Sequence, residues 1–189
     1  VHIGHRKIIK RLIDSAENGH LQTALLTFYP HPRMVLQQSE DLKLINTIEE
    51  RKLILEETGL EHLIVHPFTI DFSRLSAREY VEEILVKSLN AKKIVIGYDH
   101  HFGRNRTANI EDLKEFGKEF DFEVLEISKQ DIEDVAVSST KIRRSLEDGD
   151  LESANTYLSL PFFLFLGRSN TPPPIQITPA PYVPFWFRP

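Results

Sequence analysis

Cysteine is absent from the 189 residues. Its absence excludes disulfides, thiol catalysis and thiolate metal sites together, and it fits a cytoplasmic protein. Positive charge is in deficit: 23 Lys and Arg against 28 Asp and Glu leave a formal net charge of −5. A general nucleic-acid binder needs a basic face, so that class is set aside, whereas a small anion in a local pocket is not. No apolar run approaches a membrane span, and no secretory signal is visible. The first residue is Val1, so a segment before it is expected. With 41% hydrophobic and 27% charged residues, the chain reads as a soluble globular protein with one full core.

What is present begins at once. Val1-His2-Ile3-Gly4-His5 runs into an amphipathic stretch with Ile8, Ile9, Leu12, Ile13 and Ala16 at helical spacing. Gly4 therefore falls at a helix start. A glycine there lets a phosphate approach the backbone, and the helix N-terminus offers free N–H groups to the anion. His2 and His5 add donors suited to charge that builds up during polyphosphate cleavage. As metal ligands they lack a third partner nearby and a zinc spacing. As ordinary surface histidines they would have no role, and the short segment alone does not choose.

Helices and strands then alternate. Strands are expected at 23–28, 63–65, 93–96 and 122–125. Capping boxes at Thr47–Glu50 and Ser76–Glu79 open helices that end near Thr58 and Leu89. Further helices are expected over Ile110–Phe120, from Ser138 or Ser139 to Leu146, and from Asp150 to Leu158. This order predicts an α/β fold with a Rossmann-like parallel sheet of about five strands and helices on both faces, one strand preceding Val1. Ligands in such sheets bind beyond the carboxyl ends of the strands. The loops there hold the remaining chemistry.

Ser138, Ser139 and Thr140 at a helix start make a phosphate cradle, and Arg143 shares the face of Ser139. An ordinary serine cap followed by surface bases would look the same. Gly97 and Gly103 bracket a sharp loop in which Asp99 is placed to hold a nucleotide hydroxyl or amine. Phe102 reads as core, while Arg104 and Arg106 meet phosphates or face water. Phe28-Tyr29-Pro30-His31-Pro32 fixes a histidine between two prolines, as a rigid turn or as a wall for a planar ligand. From Leu160 the pattern is lost. Eight of eleven prolines lie between Pro161 and Pro189, either as a proline-rich tail or as pieces of a longer domain.

Together these segments resemble the bacterial bifunctional riboflavin kinase/FMN adenylyltransferase family, or FAD synthetases, in order from Val1 to Leu158. His2-Ile-Gly-His5 resembles the family's His-x-Gly-His. Thr27-Phe-Tyr-Pro-His-Pro32 resembles Thr-Phe-x-Pro-His-Pro, and Gly97-Tyr-Asp-His-His-Phe-Gly103 resembles Gly-x-Asp-x-x-Phe-Gly. Ser138-Ser-Thr-Lys-Ile-Arg143 resembles Ser-Ser-Thr-x-x-Arg. The resemblance implies a nucleotidyltransferase-type fold over residues 1–158, followed at 159–189 by a remnant of a riboflavin kinase barrel. It implies adenylyl transfer from ATP to FMN, giving FAD and pyrophosphate, with magnesium accompanying ATP. The implied substrates are ATP, FMN and, for a full-length protein, riboflavin; nucleic acid and membrane are not implied partners. His2 and His5 would be catalytic. Gly4, Ser138, Ser139, Thr140 and Arg143 would hold ATP. Phe28, Pro30, His31, Pro32, Gly97, Asp99, Phe102, Gly103 and Arg104 would line the flavin and nucleotide pocket. The alternatives are another small-molecule nucleotidyltransferase or an inactive flavin-binding module.

Overall fold

The computed structural model describes residues 1–17, 20–37, 42–128 and 139–158. The chain is α/β, as the alternation requires. Helix α1 spans Ile3–Glu17, strand β1 Ala24–Tyr29, α2 Pro32–Gln37, α3 Ile48–Glu56 and β2 His62–Pro67. Two short helices follow, α4 at Ile70–Ser73 and α5 at Ala77–Glu79, the latter continuing as a π-helical segment over Tyr80–Ser88. Strand β3 is Lys93–Gly97, α6 Ile110–Phe120, β4 Glu123–Ile127, α7 Ser139–Glu147 and α8 Leu151–Tyr157.

Both strand pairings are parallel. β1 pairs with β2 in the register Leu25↔Leu63 and Thr27↔Val65. β3 pairs with β4 in the register Ile94↔Val124 and Gly97↔Ile127. The expected single sheet is corrected here: among the described residues, four strands form two separate two-stranded sheets. No ladder joins β1 to β3, and side chains bridge them instead. Leu26 of β1 packs against a core of Val81, Leu85, Ile96, Phe102, Ala108, Ile110, Leu113 and Phe122. Helix α1, which buries Ile9 and Ala16, packs on β3.

The capping boxes form as read. Thr47 Oγ1 accepts the Glu50 N–H at 3.1 Å, and the Glu50 carboxylate accepts the Thr47 N–H at 2.9 Å. Ser76 and Glu79 exchange the same bonds at 3.2 and 2.8 Å. The helix behind Ser76 widens into a π-helical path, which its sequence does not reveal. Val81 and Leu85 lie four apart and are buried on one face, a spacing that both helix types satisfy. Helices α2 and α4 are too short for periodicity to register.

A clamp between buried Thr23 and exposed Glu61 fixes where β1 and β2 begin. Glu61 Oε2 accepts the Thr23 N–H at 2.6 Å and the Thr23 hydroxyl at 3.0 Å, while the Glu61 N–H reaches Thr23 Oγ1 at 3.1 Å. The backbone and hydroxyl bonds from Thr23 hold the Glu61 carboxyl below its ordinary 4.5. A carboxyl depressed on folding contributes stability above its unfolded value, and that contribution is lost as pH falls through the folded value. Glu61→Gln is therefore expected to lower the Tm at pH 7 and to differ less from the parent at pH 3. Thermal melts across this range check it; a gap that widens toward acid would contradict the clamp.

Candidate active site

The structure folds the two leading histidines onto each other. The rings of His2 and His5 stack with centroids 3.7 Å apart and planes at 23°. Gly4 makes this possible, because a Cβ there would meet the His2 ring at 3.2 Å. Helix α1 starts at Ile3, so the pair sits at its N-terminus, and His2 is also bridged to Leu158 at the end of α8. His5 Nδ1 accepts the His2 backbone N–H at 3.4 Å. In a neutral ring this leaves the proton on Nε2, as a donor. His2 Nδ1 is enclosed without a hydrogen-bond partner.

Both imidazoles are neutral at pH 7. Loss of hydration is the main cause, lowering His2 to about 4 and His5 to about 3; the neighbouring His2 ring and then Arg51 add to the effect on His5. His5 keeps part of its surface open to solvent.

Around the pair stand cations. Arg51, in the first turn of α3, donates from Nη1 to Thr27 Oγ1 at 3.1 Å. Burial lowers the Arg51 guanidinium from its ordinary value. Arg143, on α7, donates from Nε to the Lys43 carbonyl at 3.0 Å. Ile142 beside it is fully buried, which fixes the helix face that carries Arg143. A depression of about 260 Å³ runs between Lys43–Ile45 and α7, lined by Arg143, Leu146 and Glu147. His31 ties these groups together. Its imidazole is lowered by burial and then by Arg143, Arg33 and Arg51, and Arg51 also acts on His5.

The other anticipated residues are placed as follows. Ser139 opens α7 half-buried and Thr140 is exposed, while Ser138 lies outside the described residues. The Tyr29–Pro30 peptide is cis. Pro32 opens α2, where a missing N–H costs little, and His31 Nδ1 accepts the Arg33 N–H at 3.2 Å. Phe28 contacts Phe68 and Phe72 at 5.6 and 5.3 Å. From Phe72 the rings continue through Tyr80 to Phe102 at 6.1 and 6.0 Å, and on to His100. This run links the Tyr29 and Gly97 loops. Phe102 itself lies in the core at 7% exposure. Asp99 is exposed, and its carbonyl lies 2.9 Å from His101 Nδ1. Among the described residues, no hydrogen bond or ring contact joins Gly97, Asp99, Gly103 or Arg104 to the histidine pair.

Gly103 shapes its loop by close approach. It has φ 73°, and a Cβ would lie 2.8 Å from the Ala77 backbone, next to the bond from Arg104 N–H to the Leu75 carbonyl at 2.8 Å. Gly103→Ala combines left-handed strain with overpacking and is expected to destabilise by about 2–4 kcal/mol. Denaturant unfolding measures this; a loss below about 0.5 kcal/mol, the scale of a neutral surface change, would mean that the loop relaxes freely.

A family model described as FAD synthetase matches residues 1–141. The chain belongs to the FAD synthetase family. Similar curated proteins are named bifunctional riboflavin kinase/FMN adenylyltransferase. That of Buchnera aphidicola subsp. Schizaphis graminum is 34% identical, with 86% of this chain and 52% of the relative covered. That of Listeria monocytogenes is 35% identical, with 86% and 51% covered. A solved structure described as a macrolide-efflux protein from Streptococcus pneumoniae is 31% identical with a TM-score of 0.74, covering 86% of this chain and 52% of that one. The chain thus spans about half the length of the relatives it matches. Within this FAD synthetase domain, Arg51 is a neighbour of His5 that none of the sequence motifs includes. Its signal was a basic residue in the first turn of a capped helix, where the dipole disfavours a cation.

Proposed function

We propose that this domain transfers the adenylyl group of ATP to FMN, giving FAD and pyrophosphate. One observation carries the proposal: two stacked neutral histidines at a helix start, with arginines as the nearby charge. An FMN phosphate oxygen attacks the α-phosphorus of ATP, a new P–O bond forms, and the bond to pyrophosphate breaks. The attacking oxygen is already anionic, so no general base is required and catalysis is positioning plus charge stabilisation. The Nε2–H of His5 donates to an α-phosphate oxygen. Arg143 holds the β- or γ-phosphate, with Ser138, Ser139 and Thr140 beside it. Phe28, His31 and the Gly97–Arg104 loop form the flavin and nucleotide wall.

Among the described residues, no three His, Asp or Glu side chains gather into a metal site. Magnesium in this scheme arrives on the ATP phosphates, consistent with its usual few protein ligands. The relatives' names add riboflavin phosphorylation for a longer protein, and residues 159–189 lie outside the described residues. No described helix is long and apolar enough to cross a membrane; a cytoplasmic location remains part of the proposal.

Incubation with FMN, ATP and magnesium, followed by chromatography, tests the assignment. FAD and pyrophosphate are expected in equal amounts. Adenylation of pantetheine phosphate or a nicotinamide nucleotide instead of FMN, or no product at all, would overturn it.

A further inference from the structure

Arg51 is a half-buried cation without a counterion among the described residues. Arg6, the other half-buried arginine near the histidines, lies 3.5 Å from the Glu57 carboxylate. Arg51 has no carboxylate within ion-pair distance among the described residues, and its neighbour Glu50 is spent on Thr47 and Asn46. Thr27 Oγ1 takes one of its five N–H donors. A guanidinium withdrawn from water and left unpaired is costly, so its retention calls for an anion. Its position says which. Asn46 Oδ1 accepts from the Val1 amine at 3.2 Å, so the start of α3 sits against the segment that carries His2 and His5. On its other side, Thr27 leads along β1 toward His31.

We propose that Arg51 is a substrate-binding residue whose free N–H groups grip a phosphate oxygen of the nucleotide beside His5. This rests on the adenylyl-transfer assignment for the identity of the anion. The histidine pair makes the need plain. Neutral imidazoles donate hydrogen bonds but bring no positive charge, whereas a phosphoryl group in transfer gains charge on its oxygens. Arg51 supplies the missing cation next to the reacting phosphate, and Arg143 supplies one further along the chain of phosphates. A planar fork suits two phosphate oxygens better than a point charge does.

The competing role is mechanical: Arg51 would be a strut from α3 to β1 through Thr27. Calorimetric titration with α,β-methylene-ATP, which cannot be cleaved at the reacting bond, separates the two. The variants are Arg51→Met, Arg51→Lys and Thr27→Val, each with its Tm and its rate of FAD formation. Arg51→Met is expected to weaken analogue binding by about tenfold or more, with partial recovery in Arg51→Lys. Thr27→Val removes the strut but keeps the guanidinium, so it should lower Tm and leave affinity within about twofold. If Arg51→Met fails to fold, Arg51→Lys carries the test, because loss of the fork must weaken binding at an unchanged Tm. Parent-like binding by Arg51→Met, or an equal loss in Thr27→Val, would overturn the proposal. If the parent chain makes no FAD yet binds the analogue through Arg51, the FMN assignment falls and Arg51 stands. If it makes FAD and Arg51→Met binds and turns over normally, Arg51 alone falls.

Discussion

His5→Ala is expected to lower kcat for FAD formation by roughly two to three orders of magnitude, the usual cost of one transition-state donor. The KM values for ATP and FMN should move little. The reason lies in the tautomer. His5 Nδ1 is occupied by the His2 backbone N–H, so the only proton of the neutral ring is on Nε2. A donor aimed where charge develops is worth most in the transition state, and its removal falls on kcat. The stack also predicts a pH profile. kcat/KM reports the ionisation of the free protein. With the imidazoles lowered to about 4 and about 3, neither His2 nor His5 should produce an inflection near the ordinary histidine value of 6.5. Near-normal turnover by His5→Ala at saturating substrates would remove it from this role. An acid limb near 6.5 that vanishes in the variant would show that the ring acts as a proton carrier instead.

Arg143→Ala should act on binding. If the arginine grips the β- or γ-phosphate, its contact exists before and during the reaction, so most of its effect is uniform. Loss of a charged, forked contact predicts a rise of about thirtyfold in KM for ATP, with the FMN KM nearly unchanged. Nε is held by the Lys43 carbonyl, which leaves the terminal amino groups to form the fork. Arg143→Lys keeps the charge and loses that fork, so it should recover only part. Initial rates with ATP varied at fixed FMN decide the matter. An unchanged ATP KM would reduce Arg143 to a strut between α7 and the Lys43 segment.

Much of this was legible in residues before any coordinates. The capping boxes at Thr47 and Ser76 gave two helix starts outright, because they depend on neighbours within one turn. The four strands were readable from short apolar runs, each within two residues of its observed bounds. Long-range facts were not. Nothing local states that β1 and β3 lack a shared ladder, or that a chain of rings connects Phe28 to Phe102. The histidine motif was visible, but its stacking and the tautomer it fixes come from a backbone turn that only the fold defines. Arg51 was hidden for a related reason. A cation is recognised as unpaired only once every carboxylate near it has been assigned a partner.

Strand β1 has an obligation on each of its faces. Leu26 points into the core and Thr27 points to Arg51. Sliding the strand by one residue would exchange the two, setting a hydroxyl in the apolar interior and a leucine against a guanidinium. Misregistration would therefore damage folding and chemistry in the same event, and neither could be repaired separately. The Thr23–Glu61 clamp, at the start of the strand, guards against that slip. Alignment at Thr23 thus decides which face of β1 meets helix α3, and with it whether Thr27 or Leu26 lies against Arg51.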